Sequence, residues 1–369
     1  MTPPSPEAPL PRRGLRALLG STWLRPLNDV AALEDLLSWW APTWSFTRVK
    51  ARVVGAKSET ARARTLVLAP NRLWPGHVAG QHVLVSAEVR GRRVSRTFSL
   101  SSAPRADGLV EITVQRREGG ILSPWWNEVA APGDVVVLGR PAGDFVLPSS
   151  LPSRVAMLSA GSGITPLMAM LRSLDGGESG VVVHFEYWAA TRAEAIFADE
   201  LEAMARRSPW LRLSIHATRD EGRPDADAFD RIAATCGDAP VWTCGPVGFR
   251  DAVRAAWERA GRPLPHEESF GIASRRVLPG LPSGKAEPVR AVLSGRDFEA
   301  PPGVSLLEAA EAAGLRPVHG CRAGICHTCV CRLVSGTVVD LRDGRVTDEP
   351  GRSIQLCVSS AMSPVCIDL

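Results

Sequence analysis

Cys321, Cys326 and Cys329 form a C-x4-C-x2-C array, and Cys357 follows after a long interval. A plant-type 2Fe-2S cluster has this ligand spacing: four thiolates converge on two irons, three from one tight loop and the fourth from a distant segment. Gly320 and Gly324 lack Cβ atoms, so the loop backbone can curl around a cluster and aim N–H groups at its sulfurs. A tetrahedral zinc site is the competing reading, but zinc sites usually pair two short C-x2-C hooks, and the second hook is missing. A Rieske centre needs histidine ligands in a Cys-x-His arrangement, whereas His327 directly follows Cys326. Cys331 and Cys366 fall outside the spacing and read as buried, inert thiols.

A second array, Ala160-Gly161-Ser162-Gly163-Ile164-Thr165-Pro166, follows an apolar strand pattern and opens a helical one. Its glycines allow phosphates to approach the backbone at a helix N-terminus. It is not the G-x-G-x-x-G fingerprint, because Pro166 takes the third glycine position and no acidic residue closes the next strand at Tyr187. A tight strand-to-helix turn without a ligand is the alternative. Arg192 and Arg219 follow the next two strands, where a 2′-phosphate would be read; otherwise they are solvated surface charges.

Three patterns of elements carry these arrays. From Arg48 to Leu147 apolar residues alternate at Val49, Ala51, Val53; Thr65, Val67; Val83, Val85; Val94 to Leu100; Val110, Ile112, Val114; and Val135, Val137. Six short strands separated by turn signals predict a small antiparallel barrel. From Arg154 onward strands at Val155–Ser159, Val181–Tyr187, Leu211–His216 and Val241–Cys244 alternate with helices from Pro166, around Ala193–Ala205 and from Gly248, which predicts a parallel sheet. A Pro- and Gly-rich linker then precedes a last module of small-domain size. The expected division is 1–46, a helical extension; 47–150, the barrel; 151–272, the α/β domain; 273–288, the linker; and 289–369, the cysteine-bearing domain. Leu15 to Trp40 reads as two short amphipathic helices interrupted at Pro26, ending in a Trp39, Trp40 and Trp44 cluster that suits a membrane interface, a partner or packing on the next domain.

Apolar residues make up 45% of the chain, charged residues 22%, and mean hydropathy is near zero, as in a multi-domain globular protein. No basic run with interleaved aromatics would track a nucleic-acid backbone. The Pro-rich start lacks a secretory pattern and no apolar run would span a bilayer, so the cytoplasm is expected, with a peripheral site at the inner face of the membrane as the variant the tryptophans suggest. In that compartment cysteines serve metal rather than disulfides.

Arg96-Thr97-Phe98-Ser99, the Gly120-Ile121-Leu122-Ser123 turn, the Gly161–Pro166 loop and Cys244-Gly245-Pro246 occur in the order found in the ferredoxin-NADP reductase superfamily. With the last domain, residues 46–369 resemble that family's reductases fused to a 2Fe-2S ferredoxin domain of β-grasp fold. The resemblance implies that Arg96 contacts flavin phosphate, and that Phe98 and Ser99 lie against the isoalloxazine with Ser99 near N5. Phe98 stands where the family often has tyrosine, which removes a hydroxyl and keeps ring stacking. It implies that the Gly120–Ser123 turn holds a pyrophosphate, favouring FAD over FMN. Thr165 and Cys244 would border the nicotinamide, with Gly245 and Pro246 shaping the pocket floor; strand-end packing is the plainer account of Cys244. His266-Glu267-Glu268-Ser269-Phe270 resembles the family's E-x-F ending, which brings Glu268 to the flavin edge or leaves it an exposed carboxylate.

A hydride carries two electrons and a 2Fe-2S centre accepts one, so a flavin must stand between them. The implied order is NADPH or NADH, FAD, 2Fe-2S, external acceptor. No Glu-x-x-His pairs for a di-iron centre and no Cys-x-x-Cys-His haem attachment occur, so the terminal oxidant is expected on a partner. The stretch through Trp44-Ser45 resembles bacterial reductases that serve membrane fatty-acyl desaturases and alkane hydroxylases. An aromatic-ring oxygenase partner and a zinc-stabilised redox-sensing protein are the alternatives.

Overall fold

The computed structural model describes residues 34, 37, 39–175, 180–268, 285–320, 324, 328–342 and 344–369. Strands β1 (Val49–Thr60), β2 (Ala63–Pro70), β3 (His82–Val89), β4 (Arg92–Ser99), β5 (Val110–Gln115) and β6 (Val135–Leu138) form an antiparallel sheet ordered β4-β3-β6-β1-β2-β5. Alternation puts Ala51, Val53, Leu66, Leu68, Val83, Val85 and Ile112 in one core, as the period of two requires. Leu100, just past β4, bridges Ile112 of β5, so the sheet curls toward its own far edge. Among the described residues that single bridge joins the two edges, making the expected barrel a curved half-barrel sheet.

The second sheet is parallel, ordered β11-β10-β7-β8-β9, from β7 (Arg154–Ala160), β8 (Val182–Ala189), β9 (Leu211–Ala217), β10 (Val241–Cys244) and β11 (His266–Glu268). Helices α1 (Ile164–Leu174) and α2 (Ala198–Arg207) share one apolar core with the sheet, and α3 (Ala226–Cys236) and α4 (Val247–Arg259) share another. The strand order reverses between β7 and β10. Such a switch point opens a crevice beyond the strand ends, and the Gly161 and Cys244 loops both leave from it. Two differences from the sequence reading stand out. Phe197 adopts a left-handed φ of 60°, which delays α2 to Ala198, and α3 forms where no helix was expected.

Arg172 joins the two sheets: its Nη1 donates to Ser101 O and Glu111 Oε2, both at 2.8 Å, and its Nη2 to Glu200 Oε2 at 2.8 Å. Trp242 Nε1 donates to Val146 O at 3.1 Å. Charge-assisted bonds from a largely buried guanidinium hold such a junction more firmly than surface pairs do.

The C-terminal domain has strands β12 (Glu287–Ala291), β13 (Arg296–Ala300), β14 (Val330–Ser335), β15 (Val338–Asp340), β16 (Val346–Thr347), β17 (Ser353–Gln355), β18 (Ser359–Ala361) and β19 (Val365–Ile367), with helix α5 (Leu306–Ala312). A mixed sheet runs β13-β12-β19-β14-β17, its β12–β19 pair parallel, and a small sheet runs β16-β15-β18. Ser305 caps α5 by accepting from the Glu308 N–H at 3.2 Å. Residues 273–284 of the expected linker lie outside the described residues, and Glu287 and Pro288 already belong to β12.

Of the expected N-terminal helices, the part before residue 34 lies outside the described residues. Glu34 anchors the segment that leads into β1. Its Oε1 accepts from Ser45 Oγ and Phe46 N at 2.7 Å and from Thr47 N and Oγ1 at 3.2 Å, and Arg48 Nη2 donates to Oε2 at 3.1 Å. Burial alone would raise this carboxyl, but the Ser45, Phe46, Arg48 and Thr47 donors outweigh it and hold the pKa at about 2. Trp39 and Trp40 stand 88% and 91% exposed nearby. No helix among the described residues is long and apolar enough to cross a membrane.

Candidate functional site

A cleft of about 510 Å³ opens between the two sheets. It brings together Arg96, Thr97, Phe98 and Ser99 from the end of β4, Gly120, Ile121, Leu122 and Ser123 from the turn after β5, and Ser162 and Thr165 from the loop after β7. The three arrays are far apart in sequence and meet in one wall. Phe98 packs its ring 5.7 Å from the buried Trp126 and keeps one side toward the cleft. Thr97 Oγ1 is buried with no partner in the protein. An orphaned hydroxyl in a cleft wall is a donor that a bound ligand satisfies, so the wall fits a polar, flat cofactor.

The turn has its own internal order. Ser123 Oγ accepts from the Arg117 N–H at 3.1 Å, leaving its proton to point elsewhere. A Cβ on Gly120 would lie 2.8 Å from that oxygen, so the turn closes only around glycine.

The loop after β7 is built on contacts that the sequence reading did not foresee. Gly163 would place a Cβ 2.2 Å from Cys244 O and 2.8 Å from Gly245 N, and Gly245 would place one 2.9 Å from Phe249 and 3.1 Å from Ala160. Gly163 is therefore required by the packing of the two loops on each other, and Gly245 is confined between Phe249 of α4 and Ala160. Gly161 has open space and a φ of 57°, so its need is conformational. Tyr187, the sole tyrosine, buries its hydroxyl between Gly161 O, to which it donates at 3.2 Å, and the Ile196 N–H, from which it accepts at 3.0 Å. Burial pushes this phenol well above its ordinary range, so it stays protonated. Thr165 Oγ1, between Ile164 and Pro166, donates to Ser162 O at 3.1 Å and ties the first turn of α1 to the preceding loop. Pro166 is accommodated there because its missing N–H falls in that turn.

Glu268, only 12% exposed, lies behind the cleft wall, in contact with its lining residue Ser99. Its Oε1 is 3.0 Å from His82 Nδ1, and its Oε2 accepts from Ser99 Oγ at 3.3 Å. The exposed-carboxylate alternative does not hold. His82 was not a sequence candidate; its Nε2 is buried without a partner, and its ring lies against Gly143, where a Cβ would come within 2.8 Å. The Ser269 and Phe270 end of that motif lies outside the described residues.

Cys244 is fully buried in the core shared with α1 and is absent from the cleft wall. Burial first, and the Glu268 charge second, push its thiol well above the ordinary range against a smaller pull from Arg250. Pro246 caps α4 beside it. The two arginines proposed for a 2′-phosphate are outside the cleft and held by carboxylates: Arg192 Nη2 is 2.7 Å from Glu202 Oε1 and 3.2 Å from Asp199 Oδ1, and Arg219 Nη2 is 3.6 Å from Glu194 Oε1.

Of the four cluster cysteines, Cys329 and Cys357 are described and buried, while Cys321 and Cys326 lie outside the described residues. Leu356 N donates to Cys329 O at 3.0 Å, which ties the loop end to the segment carrying the fourth thiol. Gly324, with a φ of 71°, donates its N–H to Cys357 Sγ at 3.3 Å. A backbone donor already aimed at a ligand sulfur fits a 2Fe-2S centre. Burial pushes the Cys331 thiol up to about 12, as expected of an inert group, whereas Cys366 is only half-buried.

Two family models match the chain. That of the oxidoreductase FAD-binding domain matches residues 57–147, and that of the 2Fe-2S iron-sulfur cluster binding domain matches residues 292–361. An NADPH oxidoreductase of Mycobacterium tuberculosis is 36% identical, the match covering 91% of this chain and 88% of that protein. A glycine betaine monooxygenase reductase subunit of Chromohalobacter salexigens is 30% identical over 88% of this chain and 96% of its own length. Among solved structures, phthalate dioxygenase reductase, described as modular for electron transfer from pyridine nucleotides to [2Fe-2S], superposes with a TM-score of 0.61 at 26% identity, covering 88% of this chain and 98% of that one.

Proposed function

Because the chain belongs to the FAD-binding NAD(P)H oxidoreductases that carry a 2Fe-2S ferredoxin domain, we propose that it is the reductase component of a two-protein oxygen-activating system. Bound FAD and the cluster supply the conversion of one hydride into single electrons. The protein's part is placement. In this reading Arg96 and the Gly120–Ser123 turn bind the phosphates, Thr97 and Phe98 orient the ring, and Ser99 with Glu268 holds a proton at its edge. The Gly161–Pro166 loop takes the nicotinamide nucleotide, and Thr165 lies where the two cofactors meet. The observation that carries the reading is the convergence of Arg96–Ser99, Gly120–Ser123 and Ser162/Thr165 on one cleft.

The acceptor proposed is a membrane di-iron desaturase or alkane hydroxylase. Its support is the exposed Trp39 and Trp40 beside the Glu34 anchor, a pair suited to a lipid headgroup layer. The names of the relatives favour a second reading, an aromatic-ring dioxygenase or a monooxygenase as the partner. The test is to measure cytochrome c reduction by the purified, iron-loaded protein with NADPH and NADH, and its flotation with anionic vesicles before and after Trp39 and Trp40 are both replaced by Ser. Activity without flotation favours the second reading. A metallated, folded protein that oxidises neither nucleotide would refute the reductase reading.

A further inference from the structure

We propose that Arg342 and Gln355 form a positioning pair that sets the reduction potential of the 2Fe-2S centre by holding the Gly324 N–H on the Cys357 sulfur. The inference rests on the reading of Cys357 as a cluster ligand. Gly324 sits in the ligand loop between Cys321 and Cys326, and its carbonyl accepts from Arg342 Nη1 at 2.8 Å and from Gln355 Nε2 at 3.0 Å. Its N–H meets Cys357 Sγ at 3.3 Å. One residue is thus gripped through its oxygen while its nitrogen addresses a ligand.

The grip is itself supported. Asp340 accepts three bonds from the guanidinium, Nε to Oδ1 at 3.0 Å and to Oδ2 at 3.3 Å and Nη2 to Oδ2 at 2.7 Å, and Gln355 Oε1 accepts from Nη2 at 3.3 Å. Gln355 therefore uses both ends of its amide, which fixes the orientation of the group. Asp340 pairs across the small sheet with Ser359, two residues beyond Cys357, and Gln355 precedes Cys357 by two. Both members of the pair are referenced to the fourth thiol. The fit is close: a Cβ on Gly324 would lie 2.6 Å from Arg342 Nη1 and 2.9 Å from Val358 Cγ1.

Two effects of Arg342 are separable in principle, its charge and its grip. The side chain is 41% exposed and paired with Asp340, so water and the carboxylate screen its charge. Direction wins. An N–H donor to a ligand sulfur stabilises the more negative, reduced centre and raises its potential. Losing the grip lets the Gly324 N–H swing away and moves the potential negative.

The experiment compares full-length Arg342→Ala, Arg342→Lys and Gln355→Ala with wild type for iron and acid-labile sulfide, then by spectroelectrochemical titration and the EPR g-values of the reduced centre. The expected result is full metal content with potentials shifted negative in Arg342→Ala and Gln355→Ala, altered g-values, and a smaller shift in Arg342→Lys. Full metal content with unchanged potential and g-values overturns the proposal. Loss of the centre in all three variants also overturns it, because the pair would then be structural only. Wild type binding zinc in place of iron would defeat the cluster reading itself, a separate failure.

Discussion

His82 and Glu268 are 186 residues apart in sequence, and their side chains meet 3.0 Å apart behind Ser99 of the cleft wall. The contact links the half-barrel to the parallel sheet, and Ser99 Oγ completes it from the other side. One carboxylate therefore serves two groups of the half-barrel, His82 and Ser99.

Replacing Glu268 by Ala leaves both groups without their acceptor, a loss of about 1–3 kcal/mol for such buried partners. Flavin reduction by NADPH, followed by stopped flow, is expected to slow by at least about tenfold, the kinetic equivalent of 1.4 kcal/mol. Gly143→Ala should give a weaker version, since its Cβ would displace the His82 ring and its φ is 106°. Wild-type reduction rates in both variants would rule out a role for this contact.

Tyr187→Phe removes the bridge between Gly161 O and the Ile196 N–H. Leaving a buried N–H unpaired costs about 1–3 kcal/mol. A lower melting temperature and a raised KM for the nicotinamide nucleotide are expected, with flavin content unchanged. A variant with the wild-type KM would show that nucleotide binding does not depend on Tyr187.

Glu194→Gln releases Arg219 from its carboxylate at 3.6 Å. A freed guanidinium is a better receptor for a 2′-phosphate. The KM for NADPH should fall by roughly the several-fold worth of one charge-assisted contact, while that for NADH stays constant. Equal changes for both nucleotides would place Arg219 away from the 2′-position.

Cys326→Ser removes one of the four spaced thiols. If flavin precedes the cluster, ferricyanide reduction should persist, and transfer to one-electron protein acceptors should vanish. Equal loss of both activities would contradict the order flavin, then cluster.

Glu34 gives a pH signature with a definite sign. Its folded pKa, about 2, lies below the ordinary 4.5, so its anchoring is complete above pH 4.5 and declines as pH falls toward 2. Proteolysis near Ser45–Arg48 should increase over that acid window, and Glu34→Gln should show the increase already at neutral pH. Equal cleavage of wild type and variant at neutral pH would argue against the anchor.

Much of this fold is legible in the sequence because burial imposes a period on it. The six antiparallel strands announce themselves by alternation, since one face of the sheet is wet. Helix α3 does not: its buried residues, Phe229, Ala233 and Cys236, lie among alanines and aspartates that carry little contrast. Its signals were Pro224 and Asp225, whose side chain caps the Ala228 N–H at 2.8 Å. At the site, the contiguous arrays are readable, but His82, Tyr187 and Arg342 act through partners distant in the chain, and no local spacing betrays them. Gly163 and Gly245 are visible as glycines, yet their reason, the closeness of two loops, exists only in three dimensions.

That closeness has a further effect. Because Gly163 meets the Cys244–Gly245 backbone with no room for a methyl group, neither loop can be shifted there without displacing the other. If, as proposed, the Gly161–Pro166 loop takes the nicotinamide nucleotide, a substitution that enlarges Gly163 would reshape both loops at once, so a change of coenzyme preference is expected to be easier at residues remote from this contact.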